Sequence, residues 1–179
     1  DNGTVFMAGG KISSVGGPET AIPADATILD GSGKYVTPGI IDVHSHLGDY
    51  PTPSVSAHSD GNEATSPVTP EVWAEHSVWP QDPGFSRAMV QAMKFPGAPY
   101  GMKMACGETP KRVYGSRNRM PSTRMGNLAL NRQTWIDAQD YRDKRDAGKT
   151  QKRDLGKETL ASVLDGDILV HNHCYRADE

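Results

Sequence analysis

The sequence predicts an α/β fold built on a parallel sheet, preceded by a small all-β portion. Three observations carry that expectation. Apolar runs of strand length occur at 38–46, around Lys103 and at 168–173. Helical patterns separate the last two. The first 37 residues hold only short β segments punctuated by glycine. Apolar strands alternating with helices mark a parallel sheet whose faces are covered.

Taken in order, segments 5–8 and 11–15 flank Gly9-Gly10, a two-residue hairpin signal. Residues 26–29 make a further short strand, closed by the turn-forming Asp30-Gly31-Ser32-Gly33. The pattern changes at Pro38, where a strand runs to His46. Residues 48–84 are irregular and rich in Pro, Ser, Thr and Gly, with room for a helix over 70–78. Loops of that length inside compact domains are usually functional or disordered. After the run around Lys103 comes a basic loop. Ser122 or Thr123 can cap a helix reaching about Ala147, with Leu128, Trp135 and Ile136 on its apolar side and Gly148 ending it. Asp154 caps a second helix carrying Leu155, Leu160, Val163 and Leu164. Asp165-Gly166-Asp167 then turns into the strand 168–173. No internal repeat period is apparent.

The chain has 179 residues, enough for one domain with a real core. Its net charge of −3 argues against nucleic acid as the main partner. No run approaches the ~18 apolar residues a membrane helix needs. No signal peptide is visible, and Asp1 reads as a start inside a domain, which leaves a cytoplasmic or periplasmic location open. Cys106 and Cys174 form no CxxC pair and suggest a protein without disulfides.

The chemistry gathers at two strand ends. His44 and His46 close the first apolar run, and His171 and His173 close the last. Residues two apart on a strand share a face, so each pair presents two imidazoles together. Six histidines placed at random in this length would give about 0.2 His-x-His pairs, so two copies on strand ends point to metal ligation. The plainer alternative is surface or capped core histidines. Ligands in parallel α/β proteins bind beyond the C-terminal ends of the strands, where both pairs lie. Lys103 shares its strand face with Ala105, opposite Met102, Met104 and Cys106. A lysine pointing into a barrel must lose its charge or find an anion; otherwise its stem packs and its head reaches solvent. Lys111, Arg112, Arg117, Arg119 and Arg124, with Tyr114 among them, leave the same strand end. Arg112 or Arg117, beside Tyr114, could fork onto a substrate carboxylate, or the loop is simply solvated. His58, Asp60 and His76 lie in the long loop, as a lid or as plain surface. Cys174 beside His173 is a weak soft-ligand candidate. The alternating charges of 142–153 read as a solvated helix end.

Several of these segments resemble the amidohydrolase superfamily, in its imidazolonepropionase-like and metal-dependent dipeptidase branch. The residues that carry the resemblance are Gly9-Gly10-Lys11-Ile12-Ser13-Ser14-Val15-Gly16, then Val36-Thr37-Pro38-Gly39-Ile40-Ile41-Asp42-Val43-His44-Ser45-His46, Gly101-Met102-Lys103-Met104-Ala105-Cys106-Gly107 and Val170-His171-Asn172-His173. The resemblance implies a partial (β/α)8 TIM barrel over 38–179, behind a β-sandwich portion over 1–37 that both ends of a longer chain complete. It implies one or two divalent ions, zinc above all, held by His44, His46, Lys103 and His171. Lys103 would be a carbamate bridging two metals, with Glu108 as its rival, and Lys103 and His173 would take part in catalysis. The implied reaction is hydrolysis of an amide, cyclic amide or peptide C–N bond by metal-activated hydroxide, on a small molecule or short peptide. The implied partners are further copies of the chain, or the remainder of the same barrel. The family's further ligand histidine and late aspartate base would follow Glu179, and the stretch 85–95 is short for the strands expected before Lys103. Two other readings remain: a non-catalytic metal-binding or structural remnant, and a nucleic-acid binder on the basic loop, which strong salt dependence would reveal.

Overall fold

The computed structural model of the chain describes residues 3–88, 97–149 and 152–176. It separates into two units, Asp1–Val43 and His44–Glu179. Part of the stretch 85–95, expected to be short of strands, lies outside the described residues.

The first unit is organised by a hairpin of β1 (Thr4–Ala8) and β2 (Lys11–Gly16), antiparallel, with Val5 opposite Val15 and Ala8 opposite Lys11. Gly9 and Gly10 take φ of 56° and 73°. A two-residue turn of this kind needs positive φ at both central positions, which is why glycine occupies both. A register shift between Phe6 and Met7 marks a bulge. The strand expected over 26–29 does not form, and neither does the one over 38–46. Both fail for one reason: a strand exists by pairing, and no edge among the described residues pairs with them. Their apolar side chains stand in solvent, Ile40 at 99% exposure. Among the described residues the first unit thus holds the β1–β2 hairpin and no further strand.

In the second unit the long stretch after His46 holds two short 3-10 turns, Ser56–His58 and Ala74–His76, and a one-turn helix α1 (Gly84–Arg87). The helix expected over 70–78 shrinks to the second of those turns.

The ordered heart of the unit is one crossover. β3 (Tyr100–Ala105) leads through α2 (Glu108–Gly115), α3 (Arg124–Asp146) and α4 (Leu155–Leu164) to β4 (Ile168–His173), which lies parallel to β3. The register pairs Tyr100 with Ile168, Lys103 with His171 and Ala105 with His173. A parallel pair needs such a helical connection. The first part of the expected basic loop, with Lys111, Arg112 and Tyr114, is α2 instead, while Arg117 and Arg119 lie just after it. Pro110 sits in the first turn of α2, where the missing N–H costs nothing, and Tyr114 is buried from its last turn. Thr123, not Ser122, caps α3, accepting from the Gly126 amide at 3.0 Å. Gly148, at φ 65°, ends that helix, with Lys149 N donating to Lys144 O at 3.0 Å. Asp154 caps α4 through Lys157 N at 3.0 Å. α3 packs on α4, where Ala138, Tyr141, Leu160 and Ala161 are buried. The charged run after Tyr141 is the solvated helix end the sequence suggested, tied by Arg145 to Asp146 and Asp165 and by Arg153 to Glu158.

The expectation of free thiols is corrected. Cys106 and Cys174 form a disulfide, with Cα atoms 5.2 Å apart. The register explains it: they are the next step beyond the Ala105–His173 pair, so adjacent strands deliver them side by side. A sequence separation of 68 hides that adjacency from a search for short cysteine motifs. The described residues form a mixed α/β fold with no closed barrel, and no helix among them is long and apolar enough to cross a membrane.

Candidate metal centre

In-register residues of neighbouring parallel strands share a face. Gly101, Lys103 and Ala105 of β3 therefore lie on the same side as Leu169, His171 and His173 of β4. Met102 and Met104 turn to the other side and are half-buried, as the sequence suggested. Lys103 is exposed and His171 half-buried. The His171 ring leans back over Gly101: a Cβ built on that glycine would stand 2.8 Å from His171 Cδ2 and 2.9 Å from Nε2. His173, near the strand end, lies elsewhere. Its ring is 6.2 Å from that of His44, edge to face, and 5.1 Å from Tyr175. His44 and His46 are 5.2 Å apart, and Tyr50 is 5.2 Å beyond His46. The Tyr50 hydroxyl accepts from Asn62 Nδ2 at 2.7 Å.

The turn that follows His46 is built on buried carboxylates. Asp82 takes three main-chain amides: Gly48 N on Oδ2 at 3.0 Å, and Gly84 N at 2.9 Å and Thr52 N at 3.3 Å on Oδ1. These bonds, Gly84's first, hold its carboxyl below the usual carboxylate range against the opposing effect of burial. Asp49, also buried, accepts from Ser77 Oγ at 3.0 Å. The amides of Asp49 and Tyr50 close on His46 O, and Gly48 O accepts from Trp79 N at 2.9 Å. Gly48 itself has φ 83°, and a Cβ there would meet Val78 at 2.9 Å. The sequence did not single out Asp82, because two of its partners, Gly48 and Thr52, lie 34 and 30 residues away.

No protein-family model matches the chain. Amidohydrolase tasK of Hapsidospora irregularis is 28% identical over 232 residues, 99% of this chain and 24% of that protein. That alignment is longer than the chain, so the relative carries internal stretches without a counterpart here. An imidazolonepropionase of Paracoccus denitrificans is 46% identical over 50 residues, 26% of this chain and 12% of that enzyme. A crystal structure of an amidohydrolase from Thermotoga maritima superposes with a TM-score of 0.70 at 35% identity, covering 97% of this chain and 54% of that one. The chain belongs to the amidohydrolase superfamily, among its imidazolonepropionase-like members. It spans about a quarter of the Hapsidospora protein and about half of the Thermotoga chain.

Amidohydrolases generally work with divalent metals, and the histidines can be tested against that. With bonds of about 2 Å to a tetrahedral zinc, two imidazoles on one ion have ring centres on the order of 5 Å apart. The His44–His46 spacing of 5.2 Å fits. His44–His173 is wider by an ångström. No group of three His, Cys, Asp or Glu among the described residues is close enough to hold an ion. The chemistry and the first pair fit; the described residues stop short of a closed set.

The remaining candidates of this amidohydrolase segment fall into place around α2. Tyr114 donates its hydroxyl to Ser66 O at 2.7 Å, Arg117 donates to Ala64 O at 3.0 Å and Arg119 to Thr65 O at 2.9 Å. The Arg119 guanidinium also lies over the Tyr114 ring, 5.9 Å from its centre. Burial pushes the Tyr114 hydroxyl pKa up, opposed by Arg117 and Arg119. Tyr114 and Arg117 thus clamp the loop at 64–66, and Arg112 stays exposed on α2. Glu108, the rival to Lys103, opens α2 and is exposed. His58 stacks on Trp79 at 4.4 Å, while His76 is exposed beside Glu75. Cys174 is engaged in the disulfide.

Proposed function

We propose that this segment carries the first half of the active site of a metal-dependent hydrolase that cleaves an amide, cyclic amide or peptide C–N bond in a small molecule or short peptide. The observation that supports it best is the His44–His46 pair at a spacing suited to one ion, with His173 on its flank. His44, His46 and Lys103 would hold the first ion, zinc being the favoured choice for imidazole donors. His171, the neighbour of Lys103 across β3 and β4, would hold the second with His173, and Lys103 would bridge the two. A bound divalent ion supplies Lewis acidity, lowering the pKa of water and polarising the scissile carbonyl.

Lys103 contributes as a carbamate. Its neutral amine adds to carbon dioxide, forming a nitrogen–carbon bond and releasing one proton, and the resulting anionic oxygens stand beside His171. His173 is exposed near the end of β4 and is placed to pass a proton through a ring nitrogen to the leaving amine. The polar knot under Asp82 fixes the turn after His46, so the imidazole pair is held from its C-terminal side. The (β/α) barrel belongs to the same proposal, with 38–46 as one of its strands.

Elemental analysis after gentle dialysis tests the reading. One or two equivalents of a divalent transition metal are expected, together with turnover on a panel of amides and cyclic amides. Less than about a tenth of an equivalent would overturn it, because protein-bound zinc is normally held tightly.

A further inference from the structure

We propose that Gly101 is a positioning residue: the missing side chain at that point of β3 is what lets the His171 imidazole fold back over β3, two residues before Lys103. The observation is steric. The ideal Cβ at position 101 would lie 2.8 Å from His171 Cδ2 and 2.9 Å from Nε2, closer than real Cβ atoms come to any neighbour. Any residue other than glycine therefore displaces the ring. Gly101 lies within a regular strand, its φ is outside the left-handed region, and among the described residues beyond its chain neighbours the atoms within 4 Å of its Cβ position belong to His171. Glycine in a strand is otherwise unfavourable, since it weakens pairing and leaves the unfolded chain more freedom. Its presence two residues before Lys103 is accounted for by the ring it accommodates.

The register turns this into a statement about the site. Lys103 pairs with His171, so the His171 Cβ stands level with Lys103. The ring, folded back towards Gly101, is held on the β3 side of its own strand. Bulk at 101 pushes the imidazole off that seat while leaving the backbone and the Lys103 neighbour in place. The residue at 101 therefore tunes His171 without belonging to the ligand set. The inference rests on the proposed role of His171 in metal binding.

The test separates the two. Gly101→Ala, Gly101→Val and His171→Ala are compared with the native protein by cobalt(II) titration followed through its visible absorption, and by thermal unfolding without metal. Gly101→Ala is expected to keep or raise the unfolding midpoint, because alanine suits a strand better than glycine. It is also expected to weaken cobalt binding about ten- to a hundredfold, the range found when a ligand's support is lost, with a shifted band. Gly101→Val should weaken binding further. If His171→Ala weakens cobalt binding and Gly101→Ala does not, the seating inference is overturned. If both properties of Gly101→Ala collapse together, the position is merely structural and the inference falls as well. If His171→Ala leaves cobalt binding untouched, it is the ligand role of His171 that fails.

Discussion

Asp82 collects three main-chain amides from two stretches of chain thirty or more residues apart, and its charge state should be readable in the acid stability of the protein. The folded carboxyl is depressed below its ordinary value. Such a group stabilises the fold wherever the unfolded carboxyl is already ionised, above about pH 4, and that contribution is lost as pH falls through the folded value. Asp82→Asn should therefore lower the unfolding midpoint at neutral pH and flatten its decline in acid. A variant whose midpoint parallels the native curve from pH 6 to pH 2 would show that the carboxylate is not what holds the turn. At the imidazoles, the double change His44→Ala and His46→Ala should abolish metal retention with little change in far-ultraviolet circular dichroism, since the pair lies outside the helices and strands. Lys103→Ala should lose activity and recover part of it with added short carboxylic acids, which supply a bridging anion. Absence of recovery, with Glu108→Ala inactive, would move the bridge to Glu108. Of the proposed site, the sequence singles out the His-x-His pairs and Lys103 because their pattern is local to a few residues. Gly101 and Asp82 are not singled out. Each acts on a partner fixed by tertiary register, 70 residues away for His171 and 34 for Gly48.

α3 and α4 announce themselves through caps and stops, and both form where the sequence places them. Thr123→Ala should cost about 1 kcal/mol by freeing the Gly126 amide, measured by denaturant unfolding. The α3–α4 seam is tighter. Ala138 and Ala161 are fully inaccessible, so Ala161→Leu should destabilise by about 1–3 kcal/mol through overpacking. An unchanged midpoint would mean the seam has slack. At the tip of α4, Arg153 grips Glu158 with two bonds of 2.8 and 2.7 Å, and Tyr141 adds a third at 3.1 Å. The Arg153 bonds, ahead of Tyr141's, hold that carboxyl down to about 2. Strands were the harder elements to read. An apolar run declares that a segment suits a strand, and pairing decides whether it becomes one. The run 168–173 found β3, whereas 26–29 and 38–46 found no edge among the described residues. α2 was missed for the opposite reason. Its Lys111 and Arg112, with the arginines that follow, suggested a loop, while Pro110 in a first turn and the later buried Tyr114 were the helix signals present.

At the scale of the molecule, the apolar side chains of 38–43 remain in solvent, Ile41 at 78% and Val43 at 70% exposure. Apolar surface left open in this way favours association. The chain made alone should self-associate with rising concentration in sedimentation velocity, and Ile40→Lys should reduce that association. In a complete barrel where 38–46 pairs as a strand, the same change should lower stability instead. If Ile40→Lys is harmless in both settings, the segment is not a barrel strand.

The Cys106–Cys174 bond has a consequence of another kind. It joins the ends of β3 and β4, so everything from α2 to α4 lies on a covalently closed ring of chain, with a span of 68 residues. One peptide-bond cut inside that ring, for instance after the exposed Lys149, opens the ring without releasing a fragment. On an electrophoresis gel run without reductant the nicked protein should migrate as one species of unchanged mass. With reductant it should fall into two pieces.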